Sequence, residues 1–192
     1  MASLIRQSAQ ITACSFVRQL APAVRYVLRG GPQVLTAAGK ALGLEISSLA
    51  CRAATQGAPG AANQMAVADR IPVSALWLGP DEQLLLGPDG RDFAAVLIPA
   101  LRDMPHSLVD VSHRQTALEV SGPHATALLS VGCPLDLDLA ACPVGMCTRT
   151  VLAKAEIVLW RTSEDVFHLE VWRSFAAYVS AFLAEAAREI AR

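Results

Sequence analysis

The sequence predicts an α+β fold made of two duplicated βαββα units of ferredoxin-like type. Three observations carry this reading. Matched segments recur in constant order: Val27-Leu28-Arg29-Gly30-Gly31-Pro32 with Leu118-Glu119-Val120-Ser121-Gly122-Pro123, Leu76-Trp77-Leu78 with Leu159-Trp160-Arg161, and Asp92-Phe93-Ala94-Ala95 with Ser174-Phe175-Ala176-Ala177. Their offsets are nearly constant, at 91 (Pro32 to Pro123), 83 (Trp77 to Trp160) and 82 (Phe93 to Phe175). Each copy also ends on an apolar pattern with helical spacing.

Taken in order, each copy opens with a short apolar strand and a Gly-Pro step into a helix, where proline suits the first turn because its missing N–H would be unpaired there. These helices are expected to end near Leu44 and near Leu135. The drop in offset from 91 to 83 puts about eight extra residues in the first copy, within the Ala/Gly/Gln-rich stretch 53–68, which reads as a loop. Trp77 and Trp160 then sit in strands that end in turn residues, Gly79-Pro80-Asp81-Glu82 and Thr162-Ser163-Glu164-Asp165. Leu84–Leu86 and Val166–Val171 are the return strands. The closing helices carry Phe93, Val96, Leu97, Ala100, Leu101 and Met104, and Phe175, Tyr178, Val179, Phe182, Leu183 and Ala186, each set at i, +3, +4, +7, +8 and +11. Asp92 and Ser174 are the expected N-caps. Leu108–Ser112 reads as a further strand. The expected core is symmetric: Trp77, Phe93 and Leu97 in one copy, Trp160, Phe175 and Val179 in the other. The boundaries follow: an N-terminal extension over 1–23, then one domain over 24–192 made of repeats 24–112 and 115–192.

Composition narrows the function classes. Of 192 residues, 53% are apolar and 17% charged, so a sizeable core can form. Sixteen basic against seventeen acidic residues give a net charge of −1, which argues against nucleic acid as the main partner. Mean hydropathy is +0.39, and a charge-poor surface often lies under another protein. No run of eighteen apolar residues occurs, so no membrane span is expected. Arg6, Arg18, Arg25, Arg29 and Lys40 precede the first acid, Glu45; an Arg-rich, acid-poor start resembles a transit peptide, which could occupy only the first twenty or so residues.

The chemistry-bearing residues each have two readings. No GxGxxG, P-loop or GxSxG pattern is present. Cys133, Cys142 and Cys147 with His124 could be a metal cluster, but their gaps of nine and five positions contain no close ligand pair, and small buried hydrophobes fit better. With Cys14 and Cys51 they make an odd count, read as free thiols in a reducing compartment. Asp110, His113 and His124 could form an acid/base group; a strand end, a turn and a helix start are the bland alternative. Trp77 and Trp160 could stack a planar ligand, although matched positions in duplicated strands suit a core.

Val109-Asp110-Val111-Ser112-His113, followed by Glu119 to Ala125, resembles the early strand–turn–strand motif of the glycine-cleavage aminomethyltransferases, a folate-dependent family with a duplicated α+β N-terminal domain. Cys133-Pro134-Leu135-Asp136-Leu137, Cys147-Thr148-Arg149-Thr150, Val158-Leu159-Trp160-Arg161 and Arg173-Ser174-Phe175-Ala176 resemble the gamma subunit family of heterotetrameric sarcosine oxidase. So does Cys51-Arg52-Ala53-Ala54 leading to Ala75–Glu82, and the likeness runs over 24–190 in unbroken order. The resemblance implies a cytoplasmic, non-catalytic gamma subunit of a complex that oxidatively demethylates sarcosine to glycine with O2, giving H2O2 and 5,10-methylenetetrahydrofolate or formaldehyde. It implies alpha, beta and delta subunits as partners, chiefly alpha, with FAD, FMN, NAD, tetrahydrofolate and zinc held by them. It implies no catalytic, cofactor-binding or metal residue in this chain. The alternative is a free-standing folate-binding protein of the aminomethyltransferase type.

Overall fold

The computed structural model describes residues 17–46, 49–56 and 72–190. Cys14, Arg6, most of the stretch read as a possible leader and residues 57–68 of the expected loop lie outside the described residues. The chain divides into two compact units.

The first-half unit holds residues 21–46, 49–56, 72–112 and 145–148 of the described chain. Its elements are β2 (Ala23–Gly30), α1 (Pro32–Leu42), β3 (Ala53–Thr55), β4 (Ser74–Gly79), β5 (Glu82–Pro88), α2 (Phe93–Leu101) and β6 (His106–Asp110). The sheet order is β3-β4-β5-β2-β6, with antiparallel neighbours. If β2, β4, β5 and β6 are counted one to four, this is the ferredoxin-like order 4-1-3-2 with one extra edge strand, β3. Pro32 does open α1. Asp92 does cap α2, its side chain accepting a hydrogen bond from the Ala95 amide at 2.9 Å. The core lies between the helices and one sheet face, where Leu28, Ala75 and Leu85 meet Val34, Ala38, Phe93, Leu97 and Leu101. Phe93 sits edge-on to Tyr26, with ring centroids 5.8 Å apart. Gly87 makes room for it, since a Cβ there would fall 2.8 Å from the Phe93 ring.

The second-half unit holds residues 17–20, 113–144 and 149–190 of the described chain. It contains β1 (Val17–Gln19), β7 (Gln115–Ser121), α3 (Ala125–Ser130), β8 (Cys147–Leu152, whose first two residues cluster with the other unit), β9 (Ala155–Ser163), β10 (Val166–Trp172) and α4 (Arg173–Ile190). The sheet order is β1-β7-β10-β9-β8. Matched strand by strand with the other unit, β8, β9, β10 and β7 stand for β3, β4, β5 and β2. The fourth strand differs in origin: β6 follows its own unit's second helix, whereas β1 comes from the stretch read as an N-terminal extension. Val17 pairs with Val120, Arg18 with Glu119 and Gln19 with Leu118.

Several expectations need correction. Ala53–Thr55, placed in a loop, is a strand. The helix expected to reach Leu135 stops at Ser130, because Gly132-Cys133-Pro134 follows and the residue before proline disfavours helix. Residues 131–146 are instead held by turns at Asp136 and Asp138 and by the buried Arg161, whose Nη1 donates to the carbonyls of Leu137 (3.0 Å) and Cys142 (2.7 Å). Ser174 is no N-cap, since α4 starts at Arg173 directly after β10. Trp160, Phe93, Leu97 and Val179 are core residues; Trp77 is only half-buried, and Phe175 stands outside at 43% exposure. The face of α4 that packs inward is Val179, Ser180, Leu183, Ala186 and Ala187. Ser180 and Ala187 stand on this inward face in place of the expected Phe175 and Tyr178.

Candidate functional site

The most polar buried cluster lies in the second-half sheet. His168 on β10 pairs in register with Glu119 on β7 and with Trp160 on β9, so the three side chains form one row on one face. Glu170, two residues along, shares that face. His168 Nε2 stands 2.7 Å from Glu170 Oε1, with both side chains almost wholly buried. The Trp160 and His168 rings are 5.6 Å apart at 55°. Glu119 accepts a forked pair of bonds from Arg18 Nη2 at 3.0 and 3.1 Å, which ties β1 to β7. Trp160 Nε1 and His168 Nδ1 are buried with no hydrogen-bond partner among the described residues. A histidine oriented by a carboxylate is the arrangement of many general bases, but at 1% and 0% exposure this pair cannot touch a substrate from solvent.

Asp110 ends β6, and its Oδ1 accepts from the Ser112 amide at 2.8 Å. Burial, with the charges of Asp110 and Asp92, pushes the Tyr26 hydroxyl above its usual range. His113 is exposed in a turn, and His124 is exposed at the start of α3. Asp110 belongs to one unit and the two histidines to the other. Cys133 Sγ lies 3.9 Å from Thr150 Oγ1. Burial raises the Cys142 thiol, against the opposing pull of Arg161, and pushes the Cys147 thiol up to about 12. Among the described residues no group of three His, Cys, Asp or Glu side chains is arranged to hold a metal ion, and Cys51, Cys133, Cys142 and Cys147 are free thiols. No helix among them is long and apolar enough to cross a membrane.

A third feature was not read from the sequence as a surface. Trp172, Phe175 and Tyr178 are 41%, 43% and 39% exposed. Phe175, Tyr178 and Phe182 recur at helical spacing on one side of α4, and the Tyr178 and Phe182 rings stack at 6.5 Å and 28°. The Arg114 guanidinium lies 5.1 Å over the Trp172 ring, and the Arg173 amide donates to the Arg114 carbonyl at 3.0 Å. The apolar spacing was visible in the sequence, but spacing alone does not tell which edge of a wide stripe faces inward.

The profile of the family described as sarcosine oxidase, gamma subunit, matches residues 31–189. The chain belongs to this family. The sarcosine oxidase gamma subunit of Corynebacterium sp. strain P-1 is 39% identical over 118 residues, 62% of this chain and 58% of that protein. That of an Arthrobacter species is 36% identical over the same proportions, and that of Corynebacterium sp. strain U-96 is 33% identical over 69% of this chain and 64% of its own length. The matched part thus spans about three fifths of these relatives. Among solved structures, a chain of heterotetrameric sarcosine oxidase from Corynebacterium sp. U-96, in complex with pyrrole 2-carboxylate, is similar with a TM-score of 0.84 and 26% identity, covering 97% of this chain and 94% of that one. The glycine cleavage system aminomethyltransferase T of Bartonella henselae is similar with a TM-score of 0.60 at 14% identity, over 95% of this chain and 52% of that one, a likeness of fold. This chain thus has the duplicated α+β fold expected from the sequence.

Proposed function

We propose that this chain is the gamma subunit of a heterotetrameric sarcosine oxidase and contributes to assembly rather than chemistry. The observation that carries the reading is the family match over residues 31–189 together with a fold likeness that spans nearly the whole chain of a heterotetrameric enzyme. In this reading the complex demethylates sarcosine to glycine with O2, yielding H2O2 and 5,10-methylenetetrahydrofolate or formaldehyde. The FAD, FMN, NAD, tetrahydrofolate and zinc are held by the alpha, beta and delta subunits in the cytoplasm, and this chain binds chiefly alpha. Repeats 24–112 and 115–192 are its proposed evolutionary halves. The side chains support the assignment: the His168–Glu170 pair is sealed from solvent, and amine oxidation needs an acceptor for an electron pair, which side chains do not provide.

The test is co-expression of the tagged chain with the other three subunits from the same source. The expected result is co-purification of all four and sarcosine-dependent oxygen uptake by the complex. An alpha–beta–delta assembly that forms and turns over normally without this chain overturns the proposal.

A further inference from the structure

We propose that Trp172 and the aromatic face of α4 are the surface by which this chain docks on a larger partner subunit, in an apolar cleft rimmed by carboxylates. The inference rests on the subunit reading above and adds where contact is made and what chemistry the partner presents.

The duplication supplies an internal control. Phe93 and Phe175 hold matching positions at the start of matching helices, as do Leu97 and Val179, and Leu101 and Leu183. The last two pairs are buried in both units. Phe93 is fully buried while Phe175 is exposed, so the packing of the second-half unit does not account for an aromatic at 175. Trp172, Phe175, Tyr178 and Phe182 are four of the ten aromatic residues in the chain, gathered within eleven positions. Phe182 is held in place: it lies against Gly132, where a Cβ would come within 2.7 Å of its ring. Such a face is preorganised, which lowers the entropy lost on binding. Exposed Trp and Tyr beside Arg is the composition of interface anchors, with charge absent from the centre and present at the edge.

The charge of that edge selects the partner. Arg114 and Arg173 are exposed beside Trp172. From Arg173 onward α4 carries no acidic residue until Glu185, which is paired with Arg188. A cation in the first turn of a helix opposes the helix dipole, and a carboxylate facing Arg173 from a partner would offset that cost. A second copy related by a two-fold axis through Trp172 and Phe175 would set these arginines against their own images. The complementary surface therefore belongs to a different chain.

The test uses the full chain co-expressed with the other three subunits, as wild type, as the double variant Phe175→Ser/Tyr178→Ser, as Arg173→Glu, and as the control Leu139→Ser, which alters an exposed apolar side chain in the loop of the same unit. The expected result is a monomeric free chain whose far-UV signal and melting temperature are unchanged in the double variant. Association with the partner subunits should weaken about tenfold or more in the double variant, weaken and lose salt dependence in Arg173→Glu, and stay at wild-type strength in the control. Wild-type association by the folded double variant overturns the inference and leaves the subunit reading standing. A free chain that dimerises through this face, broken by the same variant, also overturns it. Failure of the wild type itself to associate defeats the subunit reading, and this inference with it.

Discussion

Exposure decides what each of two matched phenylalanines contributes. Phe93 fills the space between α1, α2 and the first-half sheet, and its truncation to Ala leaves a cavity. The expected loss is about 3–5 kcal/mol of unfolding free energy by denaturant titration. The sequence alone gives Phe175 the same value; its exposure lowers the expectation for Phe175→Ala to within about 0.5 kcal/mol. Equal losses at both positions would refute the placement of α4. The thiols separate in the same way. Cys147 keeps its proton up to about 12 in the folded chain because it is buried, whereas an unfolded thiol releases it near 8.5. Between those values the native state binds more protons than the unfolded state, so this group's share of stability falls as pH rises, by at most about 1.4 kcal/mol per pH unit, and is fully present below pH 8 or so. Comparing unfolding of the wild type and Cys147→Val from pH 8 to 10 should show the steeper fall in the wild type. In thiol labelling, Cys51 should react in the native state and Cys147 only after unfolding.

At the level of elements, signals that act locally were the ones a sequence could carry. Asp92 as a cap, Pro32 as a helix opener and the two Trp-bearing hairpins are each set by a few adjacent residues, and all formed where expected. Elements that depend on a distant partner were not readable. β1 has three residues and forms by pairing with β7, where Arg18 also bonds Glu119, 101 positions away. β3 is Ala-Ala-Thr, weak in strand propensity, and forms by pairing with β4. The apolar stripe of α4 is wider than the face that packs inward, and periodicity does not rank its two edges. The His168–Glu170 pair is local, two positions apart on β10, but its burial is set by the neighbouring strands β7 and β9 and is not written in those two residues. The role of β1 can be tested directly. Arg18→Ala should lower the melting temperature by removing the charged bond that shields Glu119, and a chain starting at Ala21 should lose more, because it also bares the edge of β7. A truncated chain with unchanged melting temperature and solubility would show that the fourth strand of this sheet is dispensable.

For the molecule as a whole, fold and function were legible to different depths for a physical reason. A duplicated fold repeats its constraints, so strand order is written twice and an error in one copy is exposed by the other. A docking surface is written once, in residues that look like core until burial is known, and it obeys a partner whose sequence is elsewhere. The proposed division of labour has a direct consequence for activity. The isolated chain should show no sarcosine-dependent oxygen uptake, and should restore the yield of the four-subunit complex when added back to cells expressing the other three. His168, oriented by the Glu170 carboxylate, is sealed in the sheet, and imidazoles such as the exposed His113 and His124 do not accept an electron pair from an amine. A Glu170→Gln substitution separates structure from chemistry. It leaves His168 beside a neutral amide in a buried site, so the melting temperature should fall, while turnover per assembled complex should stay at the wild-type level because the pair meets no substrate. A loss of turnover per complex with assembly intact would instead give this histidine a part in the reaction, and the assignment of a purely structural subunit would have to be abandoned.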